Sequence, residues 1–197
     1  MDVKEWPLPP RTASWWLESN TKVFRSDFNG ATQVLRSPGS RWKCSLSFSN
    51  LDDESSRILE ALIASLDGEF GRVQLRNYGR SGRKVAGSPV VSVADQTGTT
   101  LLTGGWQASV VVLRIGDNFT VNDELKIVTE DVSSDSSGNA LISFAPMLRS
   151  SPPAGAVIEA GNPTGIFKLA NNKQGKFQRE KRRGVRSALS LEFEEAF

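Results

Sequence analysis

The residue types that most often perform chemistry are scarce in this chain of 197 residues. It contains no histidine, which excludes Ser-His-Asp and Cys-His catalysis and the usual zinc sites. Its single cysteine, Cys44, lies within a segment of strand-like alternation, where we expect a buried, inert thiol. The sequence also contains no glycine-rich phosphate loop. The segment Gly79–Arg83 is rich in glycine but does not have that motif.

Two acidic segments remain as candidates for chemistry. Asp52, Asp53 and Glu54 could in principle supply the paired carboxylates of a glycosidase. They open a predicted helix, however, where carboxylates stabilise the positive end of the helix dipole. Asp131–Gly138 superficially resembles a calcium loop but lacks the full spacing and the terminal glutamate. We therefore expect Asp131–Gly138 to be a polar hairpin connection. For the chain as a whole we expect no enzymatic activity, no cofactor and no metal site.

Hydrophobic periodicity predicts a mainly β protein. Arg41–Phe48 and Val185–Glu194 alternate between apolar and polar residues, as half-buried strands do. Ala31–Arg36 is expected to pair with the first of these strands, through a turn at Ser37–Ser40. Both alternating segments need a common core, so the two ends of the chain are expected to share a sheet.

One notable α-helix is predicted over Leu51–Leu66. Asn50 is the expected N-cap, and Gly68 is the expected C-terminal stop. Apolar side chains at helical spacing form a single stripe, which consists of Ile58, Leu59, Leu62, Ile63 and Leu66. Because the short strand Gly71–Arg76 follows, the helix is expected to cover one face of the sheet.

The composition and hydrophobic periodicity of the sequence change near Gly82 and revert near Asn162. Between these points helix signals vanish, and about five short strands are predicted, which is typical of a small β-barrel or sandwich. We therefore predict a discontinuous base domain of β-sheet plus helix, residues 1–83 plus 162–197. It is interrupted by an inserted peripheral β domain of residues 84–161. Two consecutive domains are the alternative.

Charge is balanced overall but concentrated locally. The net charge is +2, so no general attraction to DNA or anionic lipid is expected. A basic run stands out near the C-terminus, and it consists of Lys173, Lys176, Arg179, Lys181, Arg182, Arg183 and Arg186. Three interpretations stay open for this run: a nucleic-acid patch, a solvated loop, and contact with an acidic surface of a neighbouring protein.

Tryptophan is concentrated near the N-terminus, at Trp6, Trp15 and Trp16. A stacking platform for sugars or bases is one interpretation. Core or subunit-interface aromatics are favoured over it, so Trp15 and Trp16 join the basic run as candidate protein-interface residues. The sequence shows neither a signal peptide nor an apolar stretch of roughly 20 residues, and we expect no membrane partner.

A series of short motifs, taken in order, resembles tail proteins of long-tailed, non-contractile bacteriophages. The motifs are Ser26–Gln33, Pro38–Trp42, Gly68–Arg72, Gly116–Phe119, Asp131–Val132, Asp135, Gly138–Ala140, Pro146–Arg149 and Asn162–Leu169. Each motif is weak alone, and their order carries the resemblance over most of the chain. Within this group, the size and interrupted layout resemble a distal tail protein.

This resemblance implies a structural virion protein of the tail tip. Such proteins form hexameric rings that join the tail tube protein to the hub or tip proteins, with DNA passing through the lumen. The base domain closes the ring, and a second β domain, often similar to an oligonucleotide/oligosaccharide-binding barrel, projects outward. No catalytic residues belong to the pattern, and synthesis takes place in the host bacterial cytoplasm. Two other functions stay open: a carbohydrate-binding host-recognition module, and a nucleic-acid-binding protein of the barrel type.

Overall fold

A computed structural model describes residues 2–36, 39–180 and 186–196, without the side chains of Arg36 and Arg186. This part of the chain forms sixteen β-strands and one α-helix, which confirms the predicted mainly β fold. The strands are β1 (Val3–Glu5), β2 (Thr12–Glu18), β3 (Thr21–Arg25), β4 (Thr32–Arg36), β5 (Arg41–Leu51), β6 (Arg72–Arg76), β7 (Gly87–Val91), β8 (Thr100–Trp106), β9 (Val111–Leu113), β10 (Asn118–Val121), β11 (Glu124–Val128), β12 (Val132–Ser133), β13 (Ala140–Ala145), β14 (Thr164–Leu169), β15 (Gln178–Glu180) and β16 (Arg186–Glu195). The helix, α1, spans Asp53–Leu66.

The base sheet joins both ends of the chain. Its strands follow the order β1-β6-β14-β16-β5-β2, with β15 paired to β16. β1 runs parallel to β6, and the other neighbours are antiparallel. The sheet is curled, since Trp15 of the edge strand β2 packs edge-on against Phe167 of β14, with ring centroids 5.3 Å apart. The curl encloses a hydrophobic core on the concave side.

The two alternating segments form the centre of this sheet, as predicted. β5 and β16 are antiparallel neighbours, and Leu46 lies opposite Leu191 in their register. The apolar side chains of both strands are buried, as period-two alternation requires. They are Trp42, Cys44, Leu46 and Phe48 from β5, with Leu189, Leu191 and Phe193 from β16. Val185 of the predicted stripe lies outside the described residues.

Helix α1 packs on β5 and β16, but its start differs from the prediction. Asp52, not Asn50, is the N-cap, because its carboxylate accepts a hydrogen bond from the Ser55 amide at 2.8 Å. β5 continues to Leu51, which places Asn50 in the strand. The helix ends at Leu66, as predicted. Asp67 caps it in a left-handed conformation with φ 51°, and the expected Gly68 follows with φ 66°.

The apolar stripe of α1 is narrower than predicted. Leu59 and Leu66 are fully buried, Leu62 and Ile63 are half-buried, and Ile58 is exposed. Helix α1 contacts the sheet through a narrow strip of side chains, so Ile58 at the margin of the stripe faces solvent.

The expected pairing of residues 31–36 with β5 is wrong. β4 pairs instead with β3, and Val34 lies opposite Val23. The connection between them is tight: the Ser26 amide donates to the Ala31 carbonyl at 2.8 Å, and Gly30 adopts φ +70°, a value that glycine reaches without strain. Ser37 and Pro38 of the predicted turn lie outside the described residues.

The β3–β4 hairpin continues the β2–β5 ribbon beyond the edge of the base sheet. Glu18 and Arg41 form the outermost pair of β2 and β5. Thr21 and Arg36 form the next pair out, between β3 and β4. Among the described residues, neither β3 nor β4 pairs with any further strand. We call residues 21–36 the arm.

The segment between the two parts of the base sheet contains a second set of strands. Five form an antiparallel sheet in the order β10-β11-β13-β8-β7, and β12 pairs with β9. Residues 157–159 bridge both edges of that sheet, because Val157 pairs with Val90 of β7 and Glu159 pairs with Thr120 of β10. These bridges close the sheet in the manner of a small barrel, one of the two architectures expected.

The described residues contain two hydrophobic cores. One core lies between the base sheet and α1, and the other is drawn from residues 91–160. Leu125 of β11 belongs to the first core, and the indole Nε1 of Trp42 donates to its carbonyl at 2.9 Å. The inserted segment therefore contributes to the base core, and the domain division at residues 84–161 stays a prediction.

Candidate interaction surfaces

The tryptophans do not form one aromatic surface. Strand alternation turns Trp15 towards the core and leaves Trp16 on the opposite face, where it is 43% exposed. Trp6 packs on Phe193 and Phe48, with ring centroids 5.4 and 5.8 Å apart. Trp6 and Trp15 are therefore half-buried against the base core, and only Trp16 of the two predicted interface tryptophans presents a large surface.

The described part of the basic run includes β15, which pairs with β16. Residues 178–180 therefore form a strand rather than a loop. Arg179 forms an ion pair with Glu60 of α1, and Phe177 packs against the base core. Lys173 and Lys176 are exposed, as a surface for charged partners requires.

The other predicted residues of the run are Lys181, Arg182 and Arg183, which lie outside the described residues, and Arg186, whose side chain does as well.

The arm exposes several large apolar side chains, and sequence reasoning missed it. Val23 and Val34 lie on one face of the hairpin, and Phe24 and Leu35 lie on the other. These four side chains are between 53% and 63% exposed, and Phe28 at the tip is fully exposed. Exposed apolar side chains clustered in this way are typical of a contact surface.

The arm is also basic. Lys22 and Arg25 flank its apolar centre and form no ion pair with any described residue. A surface that received the arm would therefore combine apolar area with carboxylates.

One buried ion pair lies within the inserted segment, and a second joins that segment to the base sheet. The first lies within the inserted segment: the Lys126 ammonium contacts the Glu124 carboxylate at 2.5 Å and donates to the Met147 carbonyl at 3.0 Å. Glu124 also accepts hydrogen bonds from the amides of Arg149 and Ser150. This pair fixes the start of β11 against the chain that follows β13.

The second pair spans the junction. The Arg149 guanidinium contacts the Glu195 carboxylate at 2.9 Å and donates to the Ser40 carbonyl at 2.7 Å. Glu195 accepts a further hydrogen bond from the Trp42 amide at 3.1 Å. Burial raises the pKa of Glu195, and burial lowers the pKa of Lys126, because each charged form loses hydration.

Cys44 and Asp135, two of the residues considered for chemistry, have structural roles. Cys44 is fully buried, and burial raises the pKa of its thiol, which suppresses the reactive thiolate. Asp135 accepts hydrogen bonds from Asn139 and Ser137 that lower its pKa, so its carboxylate organises the turn. Within residues 2–36, 39–180 and 186–196, no cluster of acidic or sulfur ligands could hold a metal ion.

Two findings complete the description of the chain. Of its described part, no helix combines the length and the apolar character that a membrane span requires. In comparisons with known proteins, no family model matches the chain and no curated protein matches it.

Proposed function

We propose that this chain is a non-enzymatic structural protein of a bacteriophage tail tip. Identical copies form a closed ring, which joins the tail tube to the hub and lets DNA pass. The resemblance of the ordered motifs supports the assignment as a tail-tip protein. The exposed apolar arm is the observation that supports self-assembly. The proposal requires each copy to bury apolar surface against its neighbours.

The arm supports self-assembly on energetic grounds. A lone two-stranded hairpin is marginal in water, yet this one exposes Val23, Phe24, Val34 and Leu35 on its two faces. Burying a large apolar side chain contributes about 1.5–3 kcal/mol. Because these side chains are already partly buried, covering the arm would add part of that contribution for each of them, offset by the cost of association.

The arm has apolar side chains on both of its faces, which fits a position between two protein layers of a particle. A hairpin lying flat on a single partner would bury one face and leave the other in water. Between two surfaces, both faces are buried. In the proposed ring, one face contacts the next copy of the chain and the other contacts the adjoining layer of the tail.

The basic run has a separate role in this proposal. It contacts acidic groups on an adjoining protein and fixes its register. Tight binding of DNA would oppose the passage of the genome, because each phosphate neutralised by lysine or arginine adds affinity. The inserted β segment projects outward from the ring.

The test replaces two apolar residues of the arm. The double variant Phe24→Ser and Leu35→Ser removes one apolar face, so we expect monomers in native mass spectrometry where the unchanged chain forms a ring. The matched control is Leu102→Ser with Leu141→Ser, another exposed cross-strand pair of apolar residues, and it should assemble normally. Circular dichroism should show both variants folded. Normal assembly of the arm variant would refute the proposed role of the arm.

A further inference from the structure

A cleft lies where the chain leaves the base sheet for the inserted segment and later returns to it. It has two adjoining compartments, with volumes of about 280 and 320 Å³, and Arg76, Tyr78 and Asn162 line both of them. The outgoing and returning connections run in contact, because a Cβ at Gly82 would lie 1.9 Å from the Gly161 carbonyl oxygen. The size of the cleft suits a small ligand.

The second compartment, the larger of the two, is basic. Arg76, Arg80 and Lys84 line it, and within the described part of the chain no carboxylate belongs to its lining. All three side chains are exposed, and none forms an ion pair with a described residue. Arg83, which lies in the same connection but not in the lining, is paired instead with Asp117 at 3.5 Å. The three lining charges can therefore contact an incoming anion.

The carboxylates near the cleft are distributed unevenly between its compartments. Glu159 accepts hydrogen bonds from the amides of Gly161 and Asn162 at 2.6 and 2.8 Å. Neither Glu159 nor Asp117 lines either compartment. Among the described residues, Glu5 is the one carboxylate of the lining, and it belongs to the first compartment. Positive charge therefore predominates in the second compartment, and the first has a mixed charge.

The first compartment also has aromatic side chains. Trp6 and Tyr78 line it, and both are half-buried. Trp6 packs on Phe193 with ring centroids 5.4 Å apart, and the Arg76 guanidinium lies 5.1 Å from the centroid of the Tyr78 ring. These contacts restrict both rings. The C–H groups on the face of a sugar ring carry slight positive charge, so they pack well against the negative face of an aromatic ring.

Strand pairing positions the polar side chains of the first compartment. Glu5 lies opposite Gln74 in the register of β1 and β6, and Gln74 donates to the Thr164 hydroxyl at 2.8 Å. The Glu5 carboxylate and the side-chain amide of Asn162 are exposed, and neither is bonded to another described residue. A carboxylate accepts hydrogen bonds and an amide both donates and accepts them, so this pair can bind hydroxyl groups.

We infer that the cleft binds an anionic saccharide, that is, a sugar that carries a phosphate or a carboxylate group. The sugar ring packs against the aromatic side chains of the first compartment, and its hydroxyl groups bond to Glu5 and Asn162. The acidic group enters the second compartment and contacts Arg80 and Lys84. A nucleic acid is disfavoured, because its successive phosphates would place further negative charge beside Glu5. This inference goes beyond the proposed ring and does not depend on it.

The experiment titrates the full chain with glucose 6-phosphate and with glucuronate, at fixed ionic strength, and measures dissociation constants by ligand-observed NMR. Glucose, which lacks the charge, and inorganic phosphate, which lacks the sugar, are the matched probes. We expect at least one acidic sugar to bind at least about tenfold more tightly than glucose or inorganic phosphate, because it alone uses both compartments. The preferred acidic sugar identifies the acidic group.

The double variant Arg80→Ser with Lys84→Ser should weaken binding of that sugar at least about tenfold, because two charge-assisted contacts are lost. Arg57→Ser with Lys173→Ser removes the same charge at exposed positions outside the cleft, and it should change the affinity less than about twofold. Asn162→Ala should weaken binding of the sugar and leave binding of inorganic phosphate unchanged, since only the hydroxyl groups lose a partner.

Several results would overturn this inference. Equal affinity for glucose would show that the cations take no part, and equal affinity for inorganic phosphate would show a site for a bare anion. Tighter binding of adenosine monophosphate or of duplex DNA, lost in the variant of Arg80 and Lys84, would assign the cleft to nucleic acid. Absence of binding by both acidic sugars would refute the site. Native mass spectrometry of the same samples tests the ring separately, so the failure of one proposal is distinguishable from the failure of the other.

Discussion

Arg149 of the inserted segment and Glu195 of β16 form an ion pair at 2.9 Å. The side chain of Glu195 is 2% exposed, and the carboxylate oxygen that Arg149 contacts also accepts the amide of Trp42. One pair thereby joins three segments that are distant in sequence. It holds the inserted segment against the sheet that the proposal assigns to ring closure.

Glu195→Ala should lower the free energy of unfolding by about 3–5 kcal/mol, since it leaves the Arg149 charge without its buried partner. Urea denaturation measures this. Glu18→Ala is the matched control: its partner Lys43 lies at 2.7 Å, but the Glu18 side chain is 52% exposed, so the loss should stay within about 1 kcal/mol. Equal losses in the two variants would show that the junction pair contributes no more than a surface pair.

Leu59→Ala in α1 should cost about 2–5 kcal/mol, as expected for a fully buried leucine. Ile58→Ala, at the neighbouring position, should change the free energy of unfolding by no more than about 0.5 kcal/mol, because Ile58 is 43% exposed. Denaturant unfolding of the pair tests how the helix is oriented on the sheet. Similar costs, or a larger cost at Ile58, would contradict the described packing.

Local periodicity accounts for what could be predicted of the fold. The alternation around Cys44 and Leu191 identified the two central strands, and the stripe containing Leu59 identified the helix. β2 carries a similar signal, since Ala13, Trp15 and Leu17 alternate with Thr12, Ser14 and Glu18. Trp16 interrupts this alternation, which made the strand harder to find. The start of α1 was misplaced because both Asn50 and Asp52 are good capping residues.

Pairing and distant contacts were harder to predict. Two turn signals flank β4, at Asn29-Gly30 and at Pro38-Gly39, and the tight turn at Gly30 determines the actual pairing. The exposed apolar arm follows from that choice, so the sequence alone could not reveal it. The Arg149–Glu195 pair depends on the docking of the inserted segment, which no local pattern encodes.

The basic run gives a prediction that separates protein contact from DNA contact. The double variant Arg182→Ser and Arg183→Ser should weaken ring assembly, because acidic groups on the adjoining protein lose their partners, and it should leave DNA affinity unchanged. Sedimentation and salt-dependent DNA binding measure the two effects. Arg80→Ser with Lys84→Ser is the charge-matched control, since both residues are exposed and lie outside the run. Unchanged assembly with a steep fall in DNA affinity would identify the run as a nucleic-acid site.

The central claim is that copies of this chain close into a ring. Native mass spectrometry of the unmodified chain, with particle imaging of the same sample, tests it most directly. The account predicts a single closed species, a hexamer by the resemblance, with a central opening wide enough for DNA. A strict monomer at the concentrations used for tail assembly, together with tail particles that contain no ring of this chain, would contradict it.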